Sequence, residues 1–344
     1  MSSKISDPSA LKRKGLEAFV AVSSIPLTEV VNPATLGSTH FDRVEGVRNL
    51  TVCIAAVCQQ NDEKRIVLCS DWKGEIANLA GSETTDKLRF LPQGWTALMA
   101  DTLSRAEELV AAYKTHIRGL GSVADEYALF TEMKKPAQKH KEAMIDDYVR
   151  QTLGMSYSQF LAHATNIPPE SAAKLLDGIA NIKLGASLIL AGFAETPDEN
   201  GDRERAPYLF VVQDNDAHED VVSVQDQYAV IGSGAYVAIP AINQRAQDDQ
   251  KSLMETIYTL YEAKRLSQIV PGVGEDTSID VMEPNGKLWS LSDAGYERCE
   301  DLFREIGPKL NLTDKRAAKL FEIKAEFLED EETLSLAAKQ TPGR

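Results

Sequence analysis

The order of secondary-structure elements predicts an α+β protein, a four-layer αββα sandwich in which two stacked sheets carry helices on both outer faces. Three observations lead there. Strand pairs that read as antiparallel hairpins come in blocks, and helix pairs separate the blocks. Strict βαβ alternation is absent, which disfavours a doubly wound parallel sheet. The chain has 344 residues, 43% hydrophobic and 26% charged, an ordinary globular balance with length enough for a substantial core.

Residues 1–50 are mixed and turn-rich, with Pro26, Pro33, Gly37 and Gly46, and read as an N-terminal extension or propeptide. Thr51 to Cys58 is a run of β-branched and small residues and reads as a strand. Gln59 to Lys64 is a polar loop, and Arg65 to Ser70 is the returning strand. Lys87–Leu91 and Trp95–Ala100 form a second hairpin around Pro92-Gln-Gly94. From Thr102, the spacing of Leu103, Ala106, Leu109, Val110 and Tyr113 predicts a helix, with Thr102 as its N-cap. Residues 120–170 read as a polar helical insertion, and Glu170 to Ile182 as an amphipathic helix. Strands return at Ala186–Gly192, Pro207–Val212, Glu219–Val224 and Tyr228–Ile231. Gly232-Ser-Gly234 opens another helical segment, followed by a longer helix over Ser252–Val270. A hairpin turns at Pro284-Asn-Gly286, between strands Ser278–Met282 and Lys287–Ser290. Beyond about residue 300 the chain reads as a helical extension, one helix carrying the stripe Ala317, Leu320, Phe321, Lys324 and Leu328.

Composition excludes several classes. The net charge of −15 argues against non-specific nucleic-acid binding, since a polyanion repels such a surface. No apolar run approaches the roughly 20 residues that span a bilayer. Cys53, Cys58, Cys69 and Cys299 contain no CxxC pair and read as small buried hydrophobes in a reducing compartment. His40, His116, His140, His163 and His218 show no HxxxH or HExxH spacing, so neither a metal nor a cofactor is expected. Lys12, Arg13 and Lys14 precede an apolar stretch that Glu17 interrupts, without a cleavage pattern after it, and a cytoplasmic location is expected.

Taken singly, the polar motifs have plain readings. Gly232-Ser-Gly234 lacks the further glycines or the GK[ST] ending of a phosphate loop and reads as a tight strand-to-helix junction. Asp71 and Lys87 each stand at a strand–turn junction and alone read as a surface salt bridge. Lys134, Lys135, Lys139 and Lys141 read as a solvated helix face.

Taken together, they resemble something more specific. Thr51-Val-Cys-Ile-Ala-Ala-Val-Cys58, Ile66 through Lys73, Thr85 through Phe90 and Ala97–Ala100 resemble the opening of proteasome β-type subunits, members of the N-terminal nucleophile (Ntn) hydrolase superfamily. Ala191-Gly-Phe193 through Val212 resembles that family's middle hairpin. Val230–Tyr236 resembles its Gly-Ser-Gly junction, and Ser278–Val281 its late strand. The likeness covers about 49–119 and 170–290, and the family fold is the αββα sandwich.

The resemblance implies a threonine-type peptidase or amidohydrolase with peptide or protein substrates, assembled as a homo-oligomer or ring. It implies Thr51 as nucleophile once residues 1–50 are removed. The freed α-amine, with a reference pKa of roughly 8, is the base. Asp71 and Lys87 match the family's aspartate and lysine, and Ser233 the serine that supports the amine. Lys73 stands where the family has arginine, and Asp101 where it has the oxyanion glycine. Asp276 falls near its late aspartate, and Met99 is a candidate pocket liner. Leu50 precedes Thr51 where self-processing members carry glycine, and a shifted register puts Asn49 or Leu50 in the nucleophile's place. A catalytically inactive scaffold or interaction subunit of the same fold therefore stays open as the alternative. The implied division is 1–50, a domain over 51–300 and an extension over 301–344.

Overall fold

All eight residues from Thr51 to Cys58 are buried, because the strand they form is covered on both faces. In β1 (Cys53–Gln60), Cys53, Ala55 and Val57 pack with residues of a second sheet, while Ile54, Ala56 and Cys58 pack against helices. Side chains alternate across a strand, so one apolar run serves two cores. The computed structural model describes residues 51–71, 73–75, 82–84, 86–163, 167–197, 203–214 and 222–308. The N-terminal extension and the helix expected around residues 313–328 lie outside the described residues.

β1 and β2 (Glu63–Asp71) form a long hairpin. The six-residue polar loop expected at 59–64 is instead strand on both sides of a two-residue turn. Asn61 and Asp62 both take positive φ, at 52° and 62°, the conformation of a primed hairpin turn that suits Asn and Asp. A short hairpin follows, β3 (Lys73–Glu75) with β4 (Ser82–Thr84). Next come β5 (Leu88–Phe90), a 3₁₀ turn at Pro92–Gly94 and β6 (Thr96–Asp101). The helices α1 (Leu103–Arg118), α2 (Glu126–Leu153), α3 (Tyr157–His163) and α4 (Pro169–Ala180) come before β7 (Ala186–Pro197) and β8 (Arg203–Val212). β9 (Val222–Gln225), β10 (Tyr228–Ile231), α5 (Ala235–Gln244), α6 (Leu253–Ser267), β11 (Thr277–Met282), β12 (Leu288–Ser290) and α7 (Asp293–Ile306) complete the described chain. α7 runs across residue 300, the edge read from the sequence as the end of the domain.

The strands make two five-stranded sheets, ordered β10-β1-β2-β11-β12 and β5-β6-β7-β8-β9, and every pairing is antiparallel. β9 and β10 are separated by two residues yet belong to different sheets, so the chain crosses between sheets there. Leu98, Ile189 and Leu209 of one sheet share a cluster with Ile66, Leu68 and Met282 of the other. Met99, Leu188 and Phe210 pack with Leu109 and Tyr113 of α1 and Met133 of α2. Ile54, Val67 and Ile279 pack with Ala238 and Ile242 of α5 and Leu260 of α6. Among the described residues the architecture is α+β, with two five-stranded antiparallel sheets, the separate β3–β4 hairpin and seven α-helices.

Local signals account for two of the helix starts. Ser252 and Glu255 form a reciprocal capping box at the start of α6, an arrangement worth about 1 kcal/mol. Asp125 caps α2 by accepting from the Ala128 amide at 2.7 Å. The lysine cluster of α2 is partly engaged: Lys135 pairs with Glu132 at 2.5 Å, and Lys134 lies 4.4 Å from the centre of the Phe130 ring. The turn at Gly94 meets the turn at Gly286 backbone to backbone. A Cβ on Gly94 would come within 2.9 Å of the Gly286 Cα. Both glycines have positive φ, 76° and 81°, so neither place accepts a side chain. No helix among the described residues is long and apolar enough to cross a membrane.

Candidate active site

The site is built where the ends of several elements meet. Thr51 stands two residues before β1 begins, Asp71 ends β2, Lys87 immediately precedes β5, and Ser233 lies in the junction between β10 and α5. β1 and β2 are paired neighbours, so their ends bring Thr51 and Asp71 to one edge of the first sheet. Lys87 arrives from the second sheet, its carbonyl accepting the Met99 amide at 3.0 Å.

The three side chains close a triangle. Lys87 donates to the Thr51 hydroxyl, and that hydroxyl donates to Asp71 Oδ1. Lys87 Nζ also lies 2.6 Å from Asp71 Oδ1. The expectation of a surface salt bridge does not hold: the Asp71 side chain is 0% exposed and that of Lys87 is 5% exposed. Burying a charge pair is costly unless further hydrogen bonds satisfy it. Asp71 has them, since Oδ1 accepts from the Val52 amide at 3.2 Å and Oδ2 from the Gly274 amide at 2.8 Å.

The backbone of Thr51 is held as firmly as its side chain. Its nitrogen donates to Ser233 Oγ at 3.0 Å. Its carbonyl accepts from the Gly234 amide at 3.0 Å and from Ser233 Oγ at 3.3 Å. Gly232 makes this cradle possible: its φ is +91°, and a Cβ there would come within 2.4 Å of the Thr51 carbonyl oxygen. The tight-junction reading of Gly232-Ser-Gly234 thus acquires its physical reason, which is close approach to Thr51.

The remaining candidates divide. Asp101 ends β6 with φ of +67°, a conformation that glycine adopts freely and aspartate tolerates. Its carboxylate accepts from Ser187 Oγ at 2.5 Å and is therefore committed to β7. Lys73 opens β3, and its side chain is outside the described residues. Asp276 is exposed in the loop before β11 and makes no hydrogen bond to the cluster among the described residues. That loop contributes through the Gly274 amide instead. Met99 is buried, and its carbonyl accepts from the Cys53 thiol at 3.2 Å.

Cys53 lies two residues along from Thr51 and is fully buried. Burial pushes its thiol up to about 12, so it stays protonated at neutral pH and does not compete as a nucleophile. The arrangement can polarise one hydroxyl. Asp71 Oδ1 accepts its hydrogen bond while Lys87 faces the oxygen with positive charge, the charge that favours an alkoxide. Among the described residues, no group of three or more His, Cys, Asp or Glu side chains could hold a metal ion. The Gly274 amide escaped the sequence reading, since a main-chain donor from a loop 203 residues away has no residue type to signal it.

Comparison with protein-family models and with curated proteins finds no match.

Proposed function

We propose that the chain is a proteasome-like member of the Ntn hydrolase superfamily, a threonine-type peptidase or amidohydrolase that uses Thr51 after removal of residues 1–50. The observation that carries the reading is the double hold on one residue: the Thr51 hydroxyl against Lys87, and the Thr51 nitrogen 3.0 Å from Ser233 Oγ. The two packed sheets, with α1 and α2 against one and α5 and α6 against the other, support the finer four-layer αββα description within the same proposal.

The chemistry follows from one amino acid supplying two groups. A free α-amine has a reference pKa of roughly 8 and takes the hydroxyl proton near neutral pH. The oxygen adds to the substrate carbonyl carbon, and the amine returns the proton to the departing nitrogen. The C–N bond breaks and an ester to Thr51 remains, which water then hydrolyses by the same route in reverse roles. Lys87 stabilises negative charge on the threonine oxygen, and Asp71 holds Lys87 in place. A peptide or protein substrate, a cytoplasmic setting and a homo-oligomeric or ring assembly belong to this proposal through the resemblance alone.

A specific observation favours the second reading, an inactive scaffold of the same fold. In the uncut chain Leu50 acylates the Thr51 nitrogen, which therefore has no basic lone pair, and Thr51 is 0% exposed. Intact-mass measurement on the purified protein decides between them. A species beginning at Thr51 that cleaves a fluorogenic peptide, with cleavage lost in Thr51→Ala and reduced at least about 100-fold in Lys87→Ala, is the expected result. Full-length protein that stays uncut and inert after prolonged incubation, or turnover unchanged in Thr51→Ala, overturns the hydrolase reading.

A further inference from the structure

Behind the Thr51 cluster, the last turn of α6 carries a lysine that the chemistry above does not use. Lys264 is 0% exposed, an unusual position for a residue that elsewhere keeps its ammonium in water. Its Nζ donates to the carbonyl of Glu275 at 2.5 Å, across a gap of eleven residues in sequence. The same carbonyl accepts from Gln268 Nε2 at 2.6 Å. One main-chain oxygen of the 271–277 loop is thus clamped by two side chains of a single helix turn. One residue before that oxygen stands Gly274, whose amide is buried on Asp71 Oδ2 at 2.8 Å. The same turn of α6 reaches the other half of the site as well. Ser267 Oγ lies 3.2 Å from the Gly234 carbonyl, sharing its hydroxyl with the Ala263 carbonyl at 2.8 Å, and Gly234 holds the Thr51 carbonyl through its own amide.

We propose that Lys264 is a positioning residue: from the end of α6 it fixes the 271–277 loop by the Glu275 carbonyl, so that the Gly274 amide stays on Asp71 and keeps that carboxylate aimed at Lys87 and Thr51. The geometry explains the cost of burying an ammonium there. A loop carbonyl is a weak anchor for a neutral donor, and a charged donor makes the hydrogen bond roughly twice as strong. Through space the ammonium is favoured by Asp71 of β2 and Asp276 of the loop and opposed by Arg265 of α6, while the nearby Cys69 thiol is kept neutral by burial. The carboxylate that the lysine serves is therefore also one of the charges that stabilise it. The consequence for turnover rests on the hydrolase proposal, whereas the positioning itself does not.

Amide hydrogen exchange of full-length wild type and Lys264→Met, read residue by residue by NMR, tests the positioning without any substrate. The expected result is a loss of protection at the Gly274 amide of at least about 100-fold, with the amides of β1 and β2 changing only by the common factor that global stability sets. Gly274 losing no more protection than those strands overturns the proposal. Should Lys264→Met not fold, Gln268→Ala removes the neighbouring, half-buried donor to the same carbonyl, and about tenfold at Gly274 is expected. No local loss there overturns the proposal equally. In an active wild type, Lys264→Met is expected to lower kcat about tenfold with KM unchanged, and a rise in KM alone counts against it. If wild type shows no turnover, the hydrolase reading fails and the exchange result still decides the role of Lys264.

Discussion

Replacing Lys87 by methionine takes the cation from a carboxylate that has no contact with water. The Asp71 side chain is 0% exposed, and its ion pair with Lys87 spans 2.6 Å. Removing one member of a buried pair typically costs about 3–5 kcal/mol, because the other is left uncompensated. The lower end applies to Lys87→Met, since the Val52 and Gly274 amides still serve the carboxylate. Asp71→Asn is expected to cost a similar amount, about 3 kcal/mol, by leaving the ammonium buried without a countercharge. The double variant leaves no buried charge at this position and is expected to cost about 3 kcal/mol as well, far from the sum of the singles. A double-mutant cycle from urea titrations of the full-length protein therefore predicts a coupling of about 3 kcal/mol. Surface ion pairs give about 0–1 kcal/mol in the same experiment. A coupling below about 1 kcal/mol would refute the buried triangle and return the pair to the plain reading that the two residues had in isolation.

Gly232→Ala forces an L-residue to φ of +91° and drives a methyl to within 2.4 Å of the Thr51 carbonyl. A loss of at least about 2 kcal/mol in a denaturant titration is expected, against none for the control Gly121→Ala, where a Cβ meets nothing within 4 Å; equal stabilities of the two contradict the cradle. Burial lowers the Lys264 ammonium from its ordinary 10.5 to about 8, so the native lysine is an ammonium below pH 8 and is neutral between pH 8 and 10.5, where the unfolded chain still holds the proton. The stability that this depressed pKa contributes is full above pH 10.5 and is lost as pH falls through 8. The stability gap between wild type and Lys264→Met should accordingly shift in favour of wild type by about 3 kcal/mol between pH 8 and 10.5, and a flat difference curve refutes it.

What the sequence made legible was local. The Thr51–Cys58 run, the strand around Ile66–Ser70 and the hairpin at Pro284-Asn-Gly286 carry their own β-branched residues and turn residues, and each is found where the chain suggested. Polar residues at 59–64 misled because half of a hairpin's tip points into water even when it is regular strand; Asn61-Asp62 held the true signal in its tolerance of positive φ. β3 and β4 lie in a stretch of small residues without an apolar alternation, so nothing marked them as paired. The switch of sheets between β9 and β10 happens within two residues, and only tertiary packing decides it. In the site, the side chains of the Thr51 cluster were readable as types, whereas the Gly274 amide and Lys264 were not. A lysine on a helix looks the same in sequence whether it faces solvent or a buried loop carbonyl.

The backbone contact between Gly94 and Gly286 has a mechanical meaning when set beside the Asp71–Lys87 pair. β11 starts at Thr277 opposite Asp71 and ends before the Gly286 turn, and β5 starts beside Lys87 and ends before the Gly94 turn. The two sheets are therefore tied twice along these strands, by charge at one end and by bare main chain at the other. Sheets tied at both ends of one strand pair cannot slide past each other or part along it. Room for any ligand has to come from connecting loops and rotating side chains, and a mutation that loosens either tie should be felt as breathing at the far one.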